Sequence, residues 1–280
     1  QIAPTLLIGV GQSYVLFTGN IDLSIGSVVG MSCMISATLM CHGMNPWVAM
    51  VITLVVCLLV GYVNGILVSK CKLPPFIATL GTMTIARGIA QIVNGNYNTD
   101  SIGEAAKGFR TFFYSGKILG IFSAFWVALV IWFIFNYIMS CTRTGRHIYA
   151  TGSNIDAARL SGVDVVKTTM KAYMVSGFCS AIVGFVLCAQ AGMGNMDAGN
   201  MYEMYGVAAG VIGGVSPLGG SGILLGTFAG AGVWQTLENG LNLIHAQVGF
   251  QRIIIGVIVV GAVLLDVVVR SGNFKKKKSK

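Results

Sequence analysis

Charge is what this sequence has least of. Asp, Glu, Lys and Arg make up only 10% of its 280 residues, against roughly 25% in an ordinary soluble domain. So few cannot furnish a water-exposed surface, and a soluble globular fold is excluded. Proline is also scarce, at 5 residues, and the 38 glycines follow no triplet period, which excludes collagen-like and disordered chains. The three histidines, His42, His147 and His245, stand apart from one another and from carboxylate clusters, so neither a metal site nor a catalytic triad is expected. No CxxC pair occurs among the seven cysteines, Cys33, Cys41, Cys57, Cys71, Cys141, Cys179 and Cys188, and they read as free thiols. A GxxxxGK[ST] phosphate loop is missing as well, so by that criterion the chain is not itself a P-loop ATPase.

What is abundant is apolar sequence, 55% of the chain. Crossing a bilayer core of about 30 Å takes roughly 20 helical residues. Runs of that kind extend over Ile2 to Phe17, Leu23 to Met40, Pro46 to Ser69, Pro75 to Asn94, Ile118 to Ser140, Thr168 to Gln190, Met204 to Ser216, Ser221 to Glu238 and Phe250 to Val269. The seventh is too short for an upright span and is expected to be broken, tilted or re-entrant. The fold class expected is therefore all-α: a polytopic transmembrane bundle of about nine spans forming one domain over residues 1–280. The chain opens on Gln1 rather than Met, with no signal peptide before the first run, so a leading helix is expected to be missing, for about ten spans in all.

A net charge of +9 would suggest a nucleic-acid partner in a soluble chain. Here the positive residues fall in short blocks between apolar runs, and membrane topology explains them. The blocks are Lys70 with Lys72, Arg143 through Lys171, and Arg270 with Lys275, Lys276, Lys277, Lys278 and Lys280. Nine alternating crossings place all three in the cytoplasm if Gln1 lies outside. Residues 141–167 then form a cytoplasmic loop, 271–280 a basic cytoplasmic tail suited to anionic lipid, and 95–117 an external segment carrying Lys107, Arg110 and Lys117. Gly26 with Gly30, and Gly222 with Gly226 and Gly230, share a spacing of four after Gly/Ser-rich loops. An inverted repeat and chance in glycine-rich helices both account for that echo.

The polar stretch Thr144 to Asp164 predicts a short surface helix, capped by Ser153 or Asn154, propagated by Ala157 to Leu160 and ended at Gly162. Such a helix suits partner docking; a solvated loop held near lipid by Arg143 and Arg146 explains the same composition. Asp22 and Arg87 are the ionisable residues placed deepest in the bilayer, where a charge costs several kcal/mol unless paired or hydrated. Asp22 is expected to brace a broken helix with Arg87 as ion-pair partner. The structural alternative has Asp22 capping the helix from Leu23 and Arg87 snorkelling outward.

Thr144 to Asp164 resembles the coupling loop of bacterial ABC-importer permeases of the ribose, xylose and galactose type, within the wider branched-chain amino acid and sugar permease family. Its pattern G-x-N-x-x-A-A-x-x-S-G-I is matched by Gly152, Asn154, Ala157, Ala158, Ser161 and Gly162, with Val163 for the final Ile. The stretches Gly19-Asn-Ile-Asp-Leu-Ser-Ile-Gly26, Pro75-Phe-Ile-Ala-Thr-Leu-Gly81 with Arg87-Gly88, and Gly213-Gly-Val-Ser-Pro-Leu-Gly-Gly220 are similar to further family motifs in family order. Asn20 departs from them, standing where glycine is commoner. The resemblance implies a transport subunit and no enzyme, located in the bacterial cytoplasmic membrane. Its implied partners are a second permease, an ABC ATPase that binds ATP and Mg, and an extracytoplasmic solute-binding protein. No cofactor is expected in this chain and no nucleic acid.

On that resemblance, coupling to the ATPase falls to Gly152, Asn154, Ala157, Ala158, Arg159, Ser161 and Gly162. A sugar-like solute needs amides, carboxylates and ring faces. Gln12, Asn20, Asp22, Asn64, Phe76, Arg87, Gln91, Asn94 and Gln235 are the pathway candidates, with Gln190, Tyr14 and Trp234 as further ones. Asp197, Glu203 and Glu238 fall near external span ends; solvated loop ends are the first reading of them, and docking of the binding protein is the functional one. Branched-chain amino acids, nucleosides or a signalling furanose are alternative solutes. Two rivals come from other classes: an ion-coupled carrier, against which the scarcity of intramembrane carboxylates counts, and a membrane-embedded enzyme, which would need a cluster of His, Asp, Glu or Ser at helical spacing that the sequence does not show.

Overall fold

In the computed structural model, residues 2–247 are described throughout, and beyond them 249–251, 253–254, 256–261, 263–264 and 268. The basic tail 271–280 with Arg270, and half of the residues in the C-terminal half of the ninth expected span, lie outside the described residues.

The chain is helical nearly throughout. Helices α1 (Ile2–Phe17), α2 (Ile25–Cys41), α3 (Pro46–Ser69) and α4 (Pro75–Ile92) come first. A wound segment over residues 104–115 follows, containing α5 (Lys107–Arg110), then a hairpin of β1 (Lys117–Ile118) and β2 (Ile121–Phe122). Helices α6 (Ser123–Cys141), α7 (Arg143–Ser153), α8 (Ile155–Leu160), α9 (Val165–Ala191), α10 (Tyr202–Ile212) and α11 (Leu224–Leu243) complete the described order, and residues described from 249 onward are also helical. By length and apolarity, α3, α6 and α9 can cross a membrane, while α1 and α2 are apolar but shorter.

Local chemistry sets several boundaries. Asn45 accepts a hydrogen bond from the Trp47 amide with Pro46 in the first turn of α3, and Asp164 accepts from Lys167 to start α9. Gly192, at φ +69°, ends α9 in a left-handed cap. The fifth expected span starts at Ser123 rather than Ile118, because Leu119 and Gly120 both take positive φ and turn Ile118 back against Ile121. That is the two-residue turn that suits a hairpin. The fourth run likewise stops at Ile92: Asn94 donates to the Tyr97 and Asn98 carbonyls and closes a turn. The short seventh run is the short helix α10, entered and left by irregular backbone.

At the centre stands α1, buried at every position from Ala3 to Phe17, as a helix apolar on all faces should be. It contacts α6, α9, α10 and α11. On α3 the apolar distribution is inverted. Its inner stripe is Ala49, Thr53, Cys57, Gly61, Asn64 and Gly65, whereas Val51, Val55, Leu59 and Val63 point outward. Lipid accepts such a face, and small residues let helix backbones meet within the bundle. Gly61 lies against the Tyr173 carbonyl, a Cβ on Gly65 would stand 2.6 Å from the Met170 Cα, and one on Gly177 would stand 2.5 Å from the Cys57 carbonyl oxygen. These contacts run α3 antiparallel to α9, so Lys70, Lys72 and the basic stretch 143–171 share one end of the bundle. At the opposite end, the segment after α4 is tied to the end of α9: the Thr99 amide donates to Gly194, Ile102 to Gly192, and the Arg110 guanidinium to the Ala189 carbonyl.

Gly65→Val is expected to lower stability by about 1–3 kcal/mol, the usual cost of overpacking, whereas Gly81→Ala, which meets nothing within 4 Å in the interior of α4, should be neutral or stabilising by up to about 1 kcal/mol. Thermal midpoints of the purified protein in detergent will separate the two.

Candidate functional site

Between α1 and α2 the chain leaves the helix inside the bundle, and Asp22 supplies the hydrogen bonds this requires. Its carboxylate is buried; Oδ1 accepts from the Ser24 amide at 2.9 Å and the Ser24 hydroxyl at 2.6 Å, and Oδ2 from the Ser176 hydroxyl at 2.6 Å. Asn64 of α3 donates to Ser24 Oγ at 2.9 Å, and the Tyr173 hydroxyl to the Ile21 carbonyl at 3.0 Å. The break is thereby fastened to both α3 and α9. Ser24, not Asp22, is the residue that precedes the first turn of α2.

The expected Asp22–Arg87 ion pair is absent. Arg87 neither pairs with Asp22 nor snorkels; its Nη1 donates to the carbonyls of Met196 at 2.8 Å and Ala198 at 3.1 Å. The carboxylate is satisfied by hydroxyls and an amide instead, and the guanidinium by a stretch of backbone that no helix consumes.

A second junction unites three of the glycine motifs. Gly152, near the end of α7, packs directly on the Phe17 carbonyl, and a Cβ there would stand 2.5 Å from the Gly220 amide nitrogen. That amide donates to Phe17 at 3.0 Å, the Tyr149 hydroxyl donates to the Gly222 carbonyl at 2.9 Å, and the Phe17 and Tyr149 rings lie 4.9 Å apart. Gly219, at φ +89°, is so close to Gly19 that a Cβ would come within 2.7 Å of its Cα. The turn after α1, the loop between α10 and α11, and the end of α7 thus meet through backbone.

Two clefts with polar side chains in their walls open in the bundle. The first, of about 300 Å³, is lined by Ser27, Met83, Thr84, Arg87, Gly88, Gln91, Asn200 and Glu203. The second, about 170 Å³, includes Thr5, Gln190, Tyr202, Gln235, Glu238 and Asn242; there Gln235 accepts from Thr5 and donates to Glu238. The remaining pathway candidates are scattered. Asn20 donates to Thr18 at the turn after α1, Phe76 is exposed at the start of α4, and Tyr14 donates to the Phe135 carbonyl. Trp234 is buried against Tyr205. Gln12 is enclosed with both amide atoms unpartnered, and Asn64 Oδ1 and Trp234 Nε1 also lack partners. All seven cysteines are free thiols, and no metal-competent cluster of His, Cys, Asp or Glu occurs among the described residues.

A family model described as the permease component of the branched-chain amino acid transport system matches residues 1–263. The chain belongs to this permease family. It is 35% identical over 272 residues to the D-allose transport system permease protein of Escherichia coli, covering 95% of this chain and 81% of that one. It is likewise 35% identical over 266 residues to the ribose import permease protein of Bacillus subtilis, covering 95% and 82%. Identity to the autoinducer 2 import system permease protein of Salmonella paratyphi B is 31% over 261 residues, covering 93% and 74%. No solved structure matches.

In this permease, α8 stands out from the bundle end that α7 occupies. Asn154 caps it by accepting from the Ala157 amide at 2.9 Å, and Gly162, at φ +80°, ends it. Ala158 is buried, while Asn154, Ala157, Arg159, Ser161 and Gly162 are exposed. Leu160 is 91% and Ile155 48% exposed, and Arg159 lies 3.7 Å from Asp156. The beginning of α9 is fixed beside it by Asp164, whose hydrogen bond from the Lys167 amide and contact with the Lys167 ammonium hold its carboxyl below the usual carboxylate range. Among the docking candidates, Asp197 is exposed, whereas Glu203 and Glu238 are half-buried and line the two clefts. The sequence reading missed α7, because its Arg143, Arg146 and His147 look like loop; the signal for it was Ile148 and Thr151, buried one turn apart.

Asp22→Ala is expected to cost about 1–3 kcal/mol by stranding its buried partners. Asp22→Asn combined with Arg87→Gln should be additive to within about 0.5 kcal/mol, as for groups that share no contact. A double-mutant cycle on unfolding midpoints measures both.

Proposed function

We propose that this chain is the membrane-spanning subunit of an ATP-driven importer that moves a monosaccharide, a ribose-like pentose or a hexose, across the bacterial cytoplasmic membrane by alternating access. The observation that carries the reading is the junction at Gly152. A helix exposed at one end of the bundle is continuous with a helix packed on both irregular loops, the turn after α1 and the one between α10 and α11. A push on α8 therefore reaches, through α7, the places where the bundle is not regular helix and can change state at least cost.

An ABC ATPase, which would hold ATP and Mg, docks on α8 with Ile155 and Leu160 as apolar anchors. The basic end of the bundle faces the cytoplasm, the chain crosses about nine times with Gln1 outside, and a second permease completes the pair. The extracytoplasmic solute-binding protein meets the end formed by the segment after α4 and by Asp197. The permease relatives named for ribose, D-allose and autoinducer 2 import favour a sugar-like solute over a branched-chain amino acid.

Proteoliposomes holding the permease, its ATPase and its binding protein should hydrolyse ATP faster with one sugar from a panel of pentoses, hexoses, nucleosides and branched amino acids. Leu160→Glu puts a charge into the proposed docking core and should remove that stimulation while the isolated permease keeps its thermal midpoint. Uptake that persists without any ATPase would sink the proposal in favour of an ion-coupled carrier.

A further inference from the structure

The cleft between α2, α4 and the start of α10 combines features that lipid alone does not explain. Arg87 and Glu203 both line it, yet the ion pairs among the described residues are Asp156–Arg159 and Asp164–Lys167 only. The two opposite charges share the space without joining. Each is seated by a missing side chain on α2: a Cβ on Gly26 would collide with Glu203 Oε2, and one on Gly30 would come 2.8 Å from Arg87 Nη1. With Nη1 held by the Met196 and Ala198 carbonyls, Arg87 is fixed in direction and its remaining N–H groups are available.

Around the pair, the Gln91 and Asn200 side chains make no hydrogen bond among the described residues, and Ser27 and Thr84 add hydroxyls. The other cleft is different, since Gln235 there is already engaged by Thr5 and Glu238. The half-buried Arg87 and Glu203, joined in no ion pair among the described residues, need water or a polar solute, and Gln91 and Asn200 are exposed beside them. A volume of about 300 Å³ sits at the small end of ligand sites.

We propose that this cleft is a binding subsite for a polyhydroxylated solute, with Glu203 accepting from its hydroxyls and Arg87, Gln91 and Asn200 donating to its oxygens. The proposal rests on the importer reading above and deepens it by giving the solute a place in this chain. Dispersed donors and acceptors match vicinal hydroxyls. Glu203 thereby passes from candidate docking residue to solute ligand.

The test uses the complete importer in proteoliposomes, with ATP-driven uptake of D-ribose, 2-deoxy-D-ribose and leucine measured for wild type, Glu203→Gln and Gln91→Leu. Wild type should favour D-ribose over its deoxy analogue. Glu203→Gln should lose roughly tenfold in D-ribose uptake, the factor carried by one hydrogen bond to a charged group, and Gln91→Leu about threefold to tenfold, as for a neutral one; in both, the preference between the two sugars should shrink towards unity. A merely structural defect would lower both sugars equally and overturn the subsite. Because Gln91 is exposed on α4, its variant carries the test if Glu203→Gln fails to fold. D-ribose uptake with rate and preference intact in Gln91→Leu also overturns the subsite and leaves the importer reading standing. Wild-type uptake of leucine in place of either sugar rejects the solute class, and uptake without the ATPase rejects the importer reading itself.

Discussion

Backbone that leaves a helix inside an apolar bundle must find hydrogen-bond partners there, and the architecture of this permease follows from how it does so. The break after α1 is the clearest case. Asp22 takes three hydrogen bonds, from the Ser24 amide, the Ser24 hydroxyl and the Ser176 hydroxyl, and Asn64 extends the network to α3. Without these bonds, the stretch from Thr18 to Ser24 would carry unsatisfied polar groups and a buried charge. With them, it becomes a fixed corner joining α2, α3 and α9. The same requirement explains Arg87, which takes up carbonyls that the irregular 196–198 backbone leaves free.

Glycine is the second means of construction. It acts less by conformational freedom than by absence of volume. Gly61, Gly65 and Gly177 bring α3 and α9 to backbone contact; Gly152 lets α7 rest on Phe17 and Gly220; Gly26 and Gly30 are the notches for Glu203 and Arg87. Where nothing but van der Waals contact and hydrogen bonding drives helix association, close approach is what holds a bundle together. The echo of Gly26–Gly30 and Gly226–Gly230 thus has two different uses. The first pair seats charged side chains, and the second meets the backbone of Ala209 and Gly213.

These contacts give the molecule rigid helices joined at irregular corners. The α7–α8 unit touches the corners at one end, and the cleft containing Arg87 and Glu203 lies among α2, α4 and α10. Because α2 starts at the corner held by Asp22 and its Gly26 and Gly30 seat the two charges, an altered corner would alter the cleft. Under the proposed function, coupling would need no long chain of side-chain relays, only the displacement of elements that already share backbone contacts.

By itself the sequence determined the membrane class, the positions of most helices, the short α10 and the capped helix α8. Composition, apolar run length and local capping are properties of consecutive residues, so they are legible without a fold. The motif at Gly152 and the candidate residues Asp22, Arg87 and Gln91 were legible for the same reason, as polar or glycine positions in apolar surroundings. Only the tertiary structure decided their partners. Asp22 and Arg87 both look unpaired in sequence, but Ser24 with the Ser176 hydroxyl on α9 satisfies the first, and carbonyls before α10 the second; Ser176 and those carbonyls are more than 100 residues away. Glu203 reads as a loop-end acid until the descent of the chain into α10 brings it to Gly26. Such pairings depend on which helix faces lie together, and in a chain whose helices are apolar on every side periodicity carries no record of that choice.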